Sequence, residues 1–228
     1  MGSATIVEDS GSGLLRERAY HELKRRILLG ELEQTPFLSE RGLARELGMS
    51  NTPVRSAVER LALEGIVTIG PQRGIVVREL TTQEIVDHVE LREALEPFLM
   101  RKLAGNLTPS QISELEANLR DYERSLSAGD VPRFITLDGD FHMLLAEFSG
   151  NAEAERVLRQ LRDRIHGVIL RISRHVPTRL TESIREHREL FQLLIAGDGR
   201  AAAKVMQLHL QAARKALAPE TVRPKARV

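Results

Sequence analysis

The chain has no cysteine. That excludes disulfides, thiolate metal sites and a cysteine nucleophile, and it fits a reducing compartment. No run approaches the ~18 uninterrupted apolar residues of a membrane helix, and residues 1–13 (MGSATIVEDSGSG) lack the basic-then-apolar pattern of a secretory leader. A soluble cytoplasmic protein with no membrane partner is expected. Neither sign of charge prevails, with 33 Lys and Arg against 32 Asp and Glu. The distribution is less even: residues 14–78 carry 11 basic and 8 acidic side chains, whereas residues 79–228 carry 22 of each. The small basic excess lies in the first third, where contact with a polyanion would fall. No His-Glu-x-x-His and no Glu-x-x-His pair of the di-iron type occurs, so two common ways of building a metallohydrolase from helices are missing.

What is present is most informative over residues 39–77, SERGLARELGMSNTPVRSAVERLALEGIVTIGPQRGIVV. A short helix starting at Ser39 carries Leu43, Ala44 and Leu47 on one face, Gly48 stops it, and Ser50 caps a second helix. That second helix buries Val54, Ala57, Val58 and Leu61 and leaves Asn51, Thr52, Arg55 and Ser56 near its start on the other face. After Gly65 the period shortens to extended apolar segments, Ile66 to Ile69 and Ile75 to Val77, around Gly70-Pro71-Gln72-Arg73-Gly74. The order predicts a helix-turn-helix followed by a two-stranded wing with an arginine at its tip.

This stretch, within residues 14–78, resembles the DNA-binding domain of GntR-type bacterial transcription regulators. The resemblance implies that Arg41, Ser50, Asn51, Thr52, Arg55, Arg73 and Gly74 meet double-stranded DNA. Position 51 departs from the family's usual arginine, and Asn51 would exchange a guanine-type contact for an adenine-type or phosphate contact.

The remaining chain is expected to fold separately as an all-α domain over residues 79–218. Residues 1–13 are expected to be disordered and residues 219–228 to form a flexible tail. Capping signals at Thr81, Thr108, Asp130, Asn151 and Asp198 delimit six helices near 82–104, 109–128, 131–148, 152–174, 179–196 and 199–217. Regular apolar stripes predict an antiparallel bundle, so the whole is mainly α: a winged helix-turn-helix plus a six-helix bundle. Three of the seven histidines, His142, His187 and His209, interrupt such stripes and should point inward, and Asp138 lies one turn before His142. Together they form a set able to hold a divalent metal, with Zn, Ni and Mn all compatible. Taken singly, a histidine on an apolar stripe is more often a hydrogen-bonded core residue; it is the three together, with the aspartate, that point to a metal. Surface positions are expected for His166 and His175.

The motifs Leu137-Asp-Gly-Asp-Phe-His142, Ser149-Gly-Asn151, Glu186-His-Arg-Glu-Leu190 and Met206-Gln-Leu-His-Leu210, with Leu91-Arg-Glu-Ala-Leu-Glu96 ahead of them, resemble the FCD effector domain of FadR-type GntR regulators. Six helices bring it closer to the VanR-like branch. The resemblance implies metal ligation by Asp138, His142, His187 and His209. It also implies a small carboxylate effector held with help from Arg92, for which His88 and Asn151 are further candidates. The function implied is a ligand-responsive regulator, most often a repressor, binding a palindromic operator as a homodimer. A helical metalloenzyme fused to a DNA-binding domain and a regulator sensing the metal itself are the alternatives.

Overall fold

The computed structural model describes residues 8–32, 38–70, 74–173 and 177–217. The wing-tip Arg73, His175 and the segment 219–228 lie outside them. The chain divides into two units, Met1–Glu79 and Leu80–Val228.

The first unit opens with helix α1 (Glu8–Leu28). It therefore takes in residues 8–13, which the Gly and Ser content had led us to expect as disordered. Its buried residues Ala19, Tyr20, Leu23 and Ile27 recur at three-and-four spacing and join one core. Helix α2 (Glu40–Leu47) starts at Ser39, whose side chain accepts from the Gly42 amide at 3.0 Å, and ends at Gly48 in the left-handed conformation. Helix α3 (Asn51–Leu63) turns Val54, Ala57, Val58 and Leu61 into the core. Ser50 occupies its N-cap position without a side-chain capping bond, so the backbone turn alone starts this helix. Strands β1 (Val67–Gly70) and β2 (Gly74–Val77) pair antiparallel, Val67 with Val77 and Gly70 with Gly74. Leu38 adds an antiparallel bridge to Ile75 on the outer side of β2.

The second unit contains helices α4 (Thr82–Leu103), α5 (Pro109–Ser127), α6 (Val131–Phe148), α7 (Ala152–Ser173), α8 (Pro177–Ala196) and α9 (Gly199–Leu217). Capping explains the boundaries. Thr81 with Glu84 and Thr108 with Gln111 form capping boxes, while Asp130 and Asn151 accept from Arg133 and Ala154 amides. Helix α4 packs on α9 and α6, α5 on α6 and α8, and α7 on α6. Leu99, Leu115, Phe134, Leu145, Leu190 and Leu210 anchor the core between them. Within it lie His142, His187 and His209, none more than 7% exposed.

Candidate metal and ligand centre

Three helices converge on one point in this core. Helix α6 supplies Asp138 and His142, which are one turn apart and so share a face, while α8 supplies His187 and α9 supplies His209. One ligand atom from each of the four lies within 4.8 Å of all the others. Donors to a single zinc-like ion stand roughly 3–4 Å apart, so the set is nearly closed.

The surroundings decide which ring nitrogens are available. His142 Nδ1 lies 2.6 Å from Glu96 Oε2, and His209 Nδ1 lies 2.7 Å from Glu186 Oε2. With the Nδ1 proton donated to a carboxylate, each ring presents an Nε2 lone pair, the arrangement that fixes the tautomer of metal-ligating histidines. His142 Nε2 is buried without a hydrogen-bond partner among the described residues, as are both nitrogens of His187. Orphaned ring nitrogens cost roughly 1–3 kcal/mol each when buried, and a shared cation would relieve them together. His187 is fully buried and stacks on Phe141, ring centroids 4.4 Å apart, which sets its plane. Tyr122 and Ser183 donate to Asp138 Oδ1 at 2.6 and 3.0 Å, leaving Oδ2 free of bonds to described residues. The donor set fits a divalent ion.

Electrostatics favour the ligating protonation states. Burial, then neighbouring His209, pushes His187 well below the usual histidine range, so the ring is neutral at neutral pH. Burial would raise Asp138, but His187, His142 and His209 outweigh it and hold the carboxyl below its ordinary value. Glu96 is treated likewise: burial opposes ionisation, yet Arg92 and then His142 lower it to about 2. Arg92 Nε donates to Glu96 Oε1 at 2.6 Å, so one buried carboxylate ties Arg92 to a histidine of the cluster.

A narrow cavity of about 30 Å³, partly open to solvent, lies beside the cluster. Arg92, Glu96, Asp138, His142, Arg162 and His166 supply its polar lining, and Ile135, Met143, Leu158, Ile165 and Ile169 the apolar lining. The structure thus brings Arg92 to the cluster. It does not bring His88, whose Nδ1 bonds the Glu84 carbonyl, nor Asn151, whose side-chain oxygen caps α7 at 3.1 Å from the Ala154 amide. His166 reverses the surface expectation, being 5% exposed and on the cavity wall. Glu96, Glu186, Tyr122, Ser183 and Arg162 were missed. For Arg162 and His166 a signal existed: they sit one turn apart among Leu158, Leu161, Ile165 and Ile169, a polar pair inside an apolar stripe.

His166 also predicts a pH response. Burial, then Arg162, depresses it to about 4 from an ordinary 6.5. Between those values the unfolded chain binds the extra proton, so stability contributed by the neutral ring is complete above pH 6.5 and is lost as pH falls towards 4. The loss is about 3 kcal/mol over that window. Urea melts of metal-free protein should show it, and His166→Gln should flatten the profile; an unchanged profile would remove His166 as a contributor.

In the first unit, Arg41, Ser50, Asn51, Thr52 and Arg55 are all exposed, and the last three open α3. Among the described residues Arg55 makes only an i,i+4 contact, Nε to Glu59 Oε1 at 3.1 Å. Such exposed pairs are worth a few tenths of a kcal/mol, so the guanidinium is free to leave for another anion.

Comparison with known proteins matches both units. The FCD domain model matches residues 87–212, and the model of bacterial regulatory proteins, gntR family, matches residues 15–77. The chain belongs to the GntR family, with an FCD domain. An HTH-type transcriptional regulator from an unstable DNA locus of Streptomyces ambofaciens is 31% identical over 198 residues, 86% of this chain and 82% of that protein. The HTH-type transcriptional repressor RspR of Escherichia coli K12 is 29% identical, covering 86% of each chain. Among solved structures, E. coli McbR/YncC aligns with a TM-score of 0.79 at 25% identity, over 89% of this chain and 96% of that one. This GntR chain is thus a DNA-binding transcription regulator by family, and among its described residues no helix is long and apolar enough to cross a membrane.

Proposed function

We propose that this GntR regulator is a cytoplasmic, homodimeric repressor. Its helical unit holds a divalent ion, Zn, Ni or Mn, through Asp138, His142, His187 and His209, and a small carboxylate beside it. The observation that carries this reading is the convergence of four buried ligand atoms within 4.8 Å, two of the rings braced by carboxylates. The ion would supply an electrophilic position for one carboxylate oxygen of the effector. The protein does the rest. Glu96 and Glu186 orient two imidazoles, Tyr122 and Ser183 fix Asp138, and Arg92 places positive charge on the cavity wall. The apolar lining lowers the local dielectric, which strengthens attraction for an anion.

A thermal-shift screen of small organic acids on metal-loaded protein tests the reading, because a ligand bound only by the native state raises the melting temperature by mass action. An acid that does so should also change affinity for a palindromic operator. Release from DNA by metal alone would instead favour a metal sensor, and turnover of an acid would favour an enzyme.

On the DNA side, Arg55, Asn51, Thr52, Ser50, Arg41, Gly74 and Arg73 form the proposed contact set. Arg55→Ala should weaken operator binding by about 1–3 kcal/mol, roughly 5- to 150-fold. Titration at matched salt checks it, and unchanged affinity would take Arg55 out of the interface. Asn51→Arg should change operator preference more than overall affinity if Asn51 reads a base.

A further inference from the structure

The α7 wall of the cavity carries two polar groups to which the metal-and-carboxylate reading assigns no work. His166 is 95% buried, taking its exposure of 5%, and its Nε2 has no partner among the described residues. Arg162 lies one turn earlier, about 6 Å along the helix. Its hydrogen bonds to described residues, to Asp140 Oδ1 at 2.7 Å and the Thr136 carbonyl at 3.3 Å, both use Nη2. Nε and Nη1 are left for something else. The guanidinium is also placed against the metal-binding helix. It lies over Gly139, where an added Cβ would come within 2.5 Å of Arg162 Nε. The glycine between Asp138 and Asp140 is what allows that approach.

We propose that Arg162 and His166 form a second anion subsite in this cavity, selecting effectors with two acidic groups, dicarboxylates in particular. The inference rests on the metal-and-carboxylate reading and adds its specificity. Charge supports it. The lining holds two cations, Arg92 and Arg162, against two anions, Glu96 and Asp138. Once Asp140 has left Arg162 for water, a divalent ion would leave two positive charges, which one carboxylate neutralises by half and two neutralise fully. The exchange at Arg162 is cheap because its partner Asp140 is 42% exposed and can return to water. A ligand carboxylate that takes Nη2 over from Asp140, together with Nε, gains charge-assisted bonds in a drier place. The His166 Nε2–H would donate a hydrogen bond to a carboxylate oxygen of the same ligand, ending its unpaired state.

The test is calorimetry on zinc-loaded, full-length protein, with succinate and glutarate against butyrate and pentanoate. The dicarboxylates should bind at least about tenfold tighter than monocarboxylates of equal length. Arg162→Met should erase that advantage while leaving the monocarboxylates within about twofold, and Asp140→Asn, which frees Arg162, should tighten the dicarboxylates alone. Equal affinity of the two classes for the native protein overturns the subsite and leaves the metal reading standing. So does an Arg162→Met variant that weakens both classes alike. If Arg162→Met fails to fold, Asp140→Asn decides: unchanged dicarboxylate affinity there overturns the proposal. If zinc binds but no acid of either class does, the carboxylate reading falls and the subsite with it.

Discussion

His187→Ala should leave the protein without stoichiometric metal. His187 is fully buried, neither ring nitrogen has a hydrogen bond to a described residue, and the ring is held between Tyr122 and Phe141, with centroids 5.4 and 4.4 Å away. It has no structural hydrogen bond to lose, so its polarity serves a ligand or serves nothing. Metal at a thousandfold excess over its dissociation constant stabilises a native protein by about 4 kcal/mol. The native protein should therefore melt several degrees lower after chelation, and the variant should not respond. Truncating a packed ring carries its own cost, so His187→Gln and His209→Gln, which keep most of the volume, accompany it. Elemental analysis is the readout. One metal per chain at native affinity in all three variants would return these histidines to ordinary core residues.

How much of this centre was legible in the sequence depends on the range of the interaction. Local signals read well. The capping boxes at Thr81 and Thr108 and the caps Asp130 and Asn151 start helices where the spacing placed them. Asp138 and His142 share a face because they are four residues apart, and His187 and His209 were found because each interrupts an apolar stripe. The partners were not legible. Glu96 stands one turn after Arg92, which local spacing shows, and only the packing of α4 against α6 reveals that it also holds His142 across 46 positions. Tyr122 and Ser183 reach Asp138 from α5 and α8, and nothing in either helix's own pattern separates them from other buried residues. His166 misled because charged neighbours suggested exposure, whereas its own side chain follows the stripe of Leu158, Leu161 and Ile165. At the other end, residues 8–13 were expected as disordered from Gly and Ser content, yet they lie in α1. Composition weighs residues singly, and a helix extends by adding one bond per residue to turns already formed.

Gly74→Ala should unfold the winged unit more readily while leaving the metal centre intact. Gly74 begins β2 with φ 67°, in the left-handed region where a side chain is strained by about 1 kcal/mol. Space adds a second penalty. A Cβ there would stand 2.6 Å from the Leu38 carbonyl oxygen, which is backbone and accepts from the Ile75 amide at 2.8 Å. The reciprocal bond, Leu38 amide to Ile75 carbonyl, is 3.1 Å. Relieving the clash moves Leu38 outward, which weakens both bonds and disturbs Leu38 and Ile75, each buried in the first unit's core. Strain and lost bonds together come to roughly 2–4 kcal/mol. Denaturant melts should show the loss in the transition of the first unit, and operator affinity should fall because the wing shifts. Zinc content and the chelation response should match the native protein. Gly13→Ala is the contrast, since Gly13 lies in α1 with nothing within 4 Å of an added Cβ. There the same methyl should stabilise, by up to about 1 kcal/mol of helix propensity. If Gly74→Ala costs no stability, the bridge from Leu38 to Ile75 does not hold the wing, and its position on DNA must be set by other contacts.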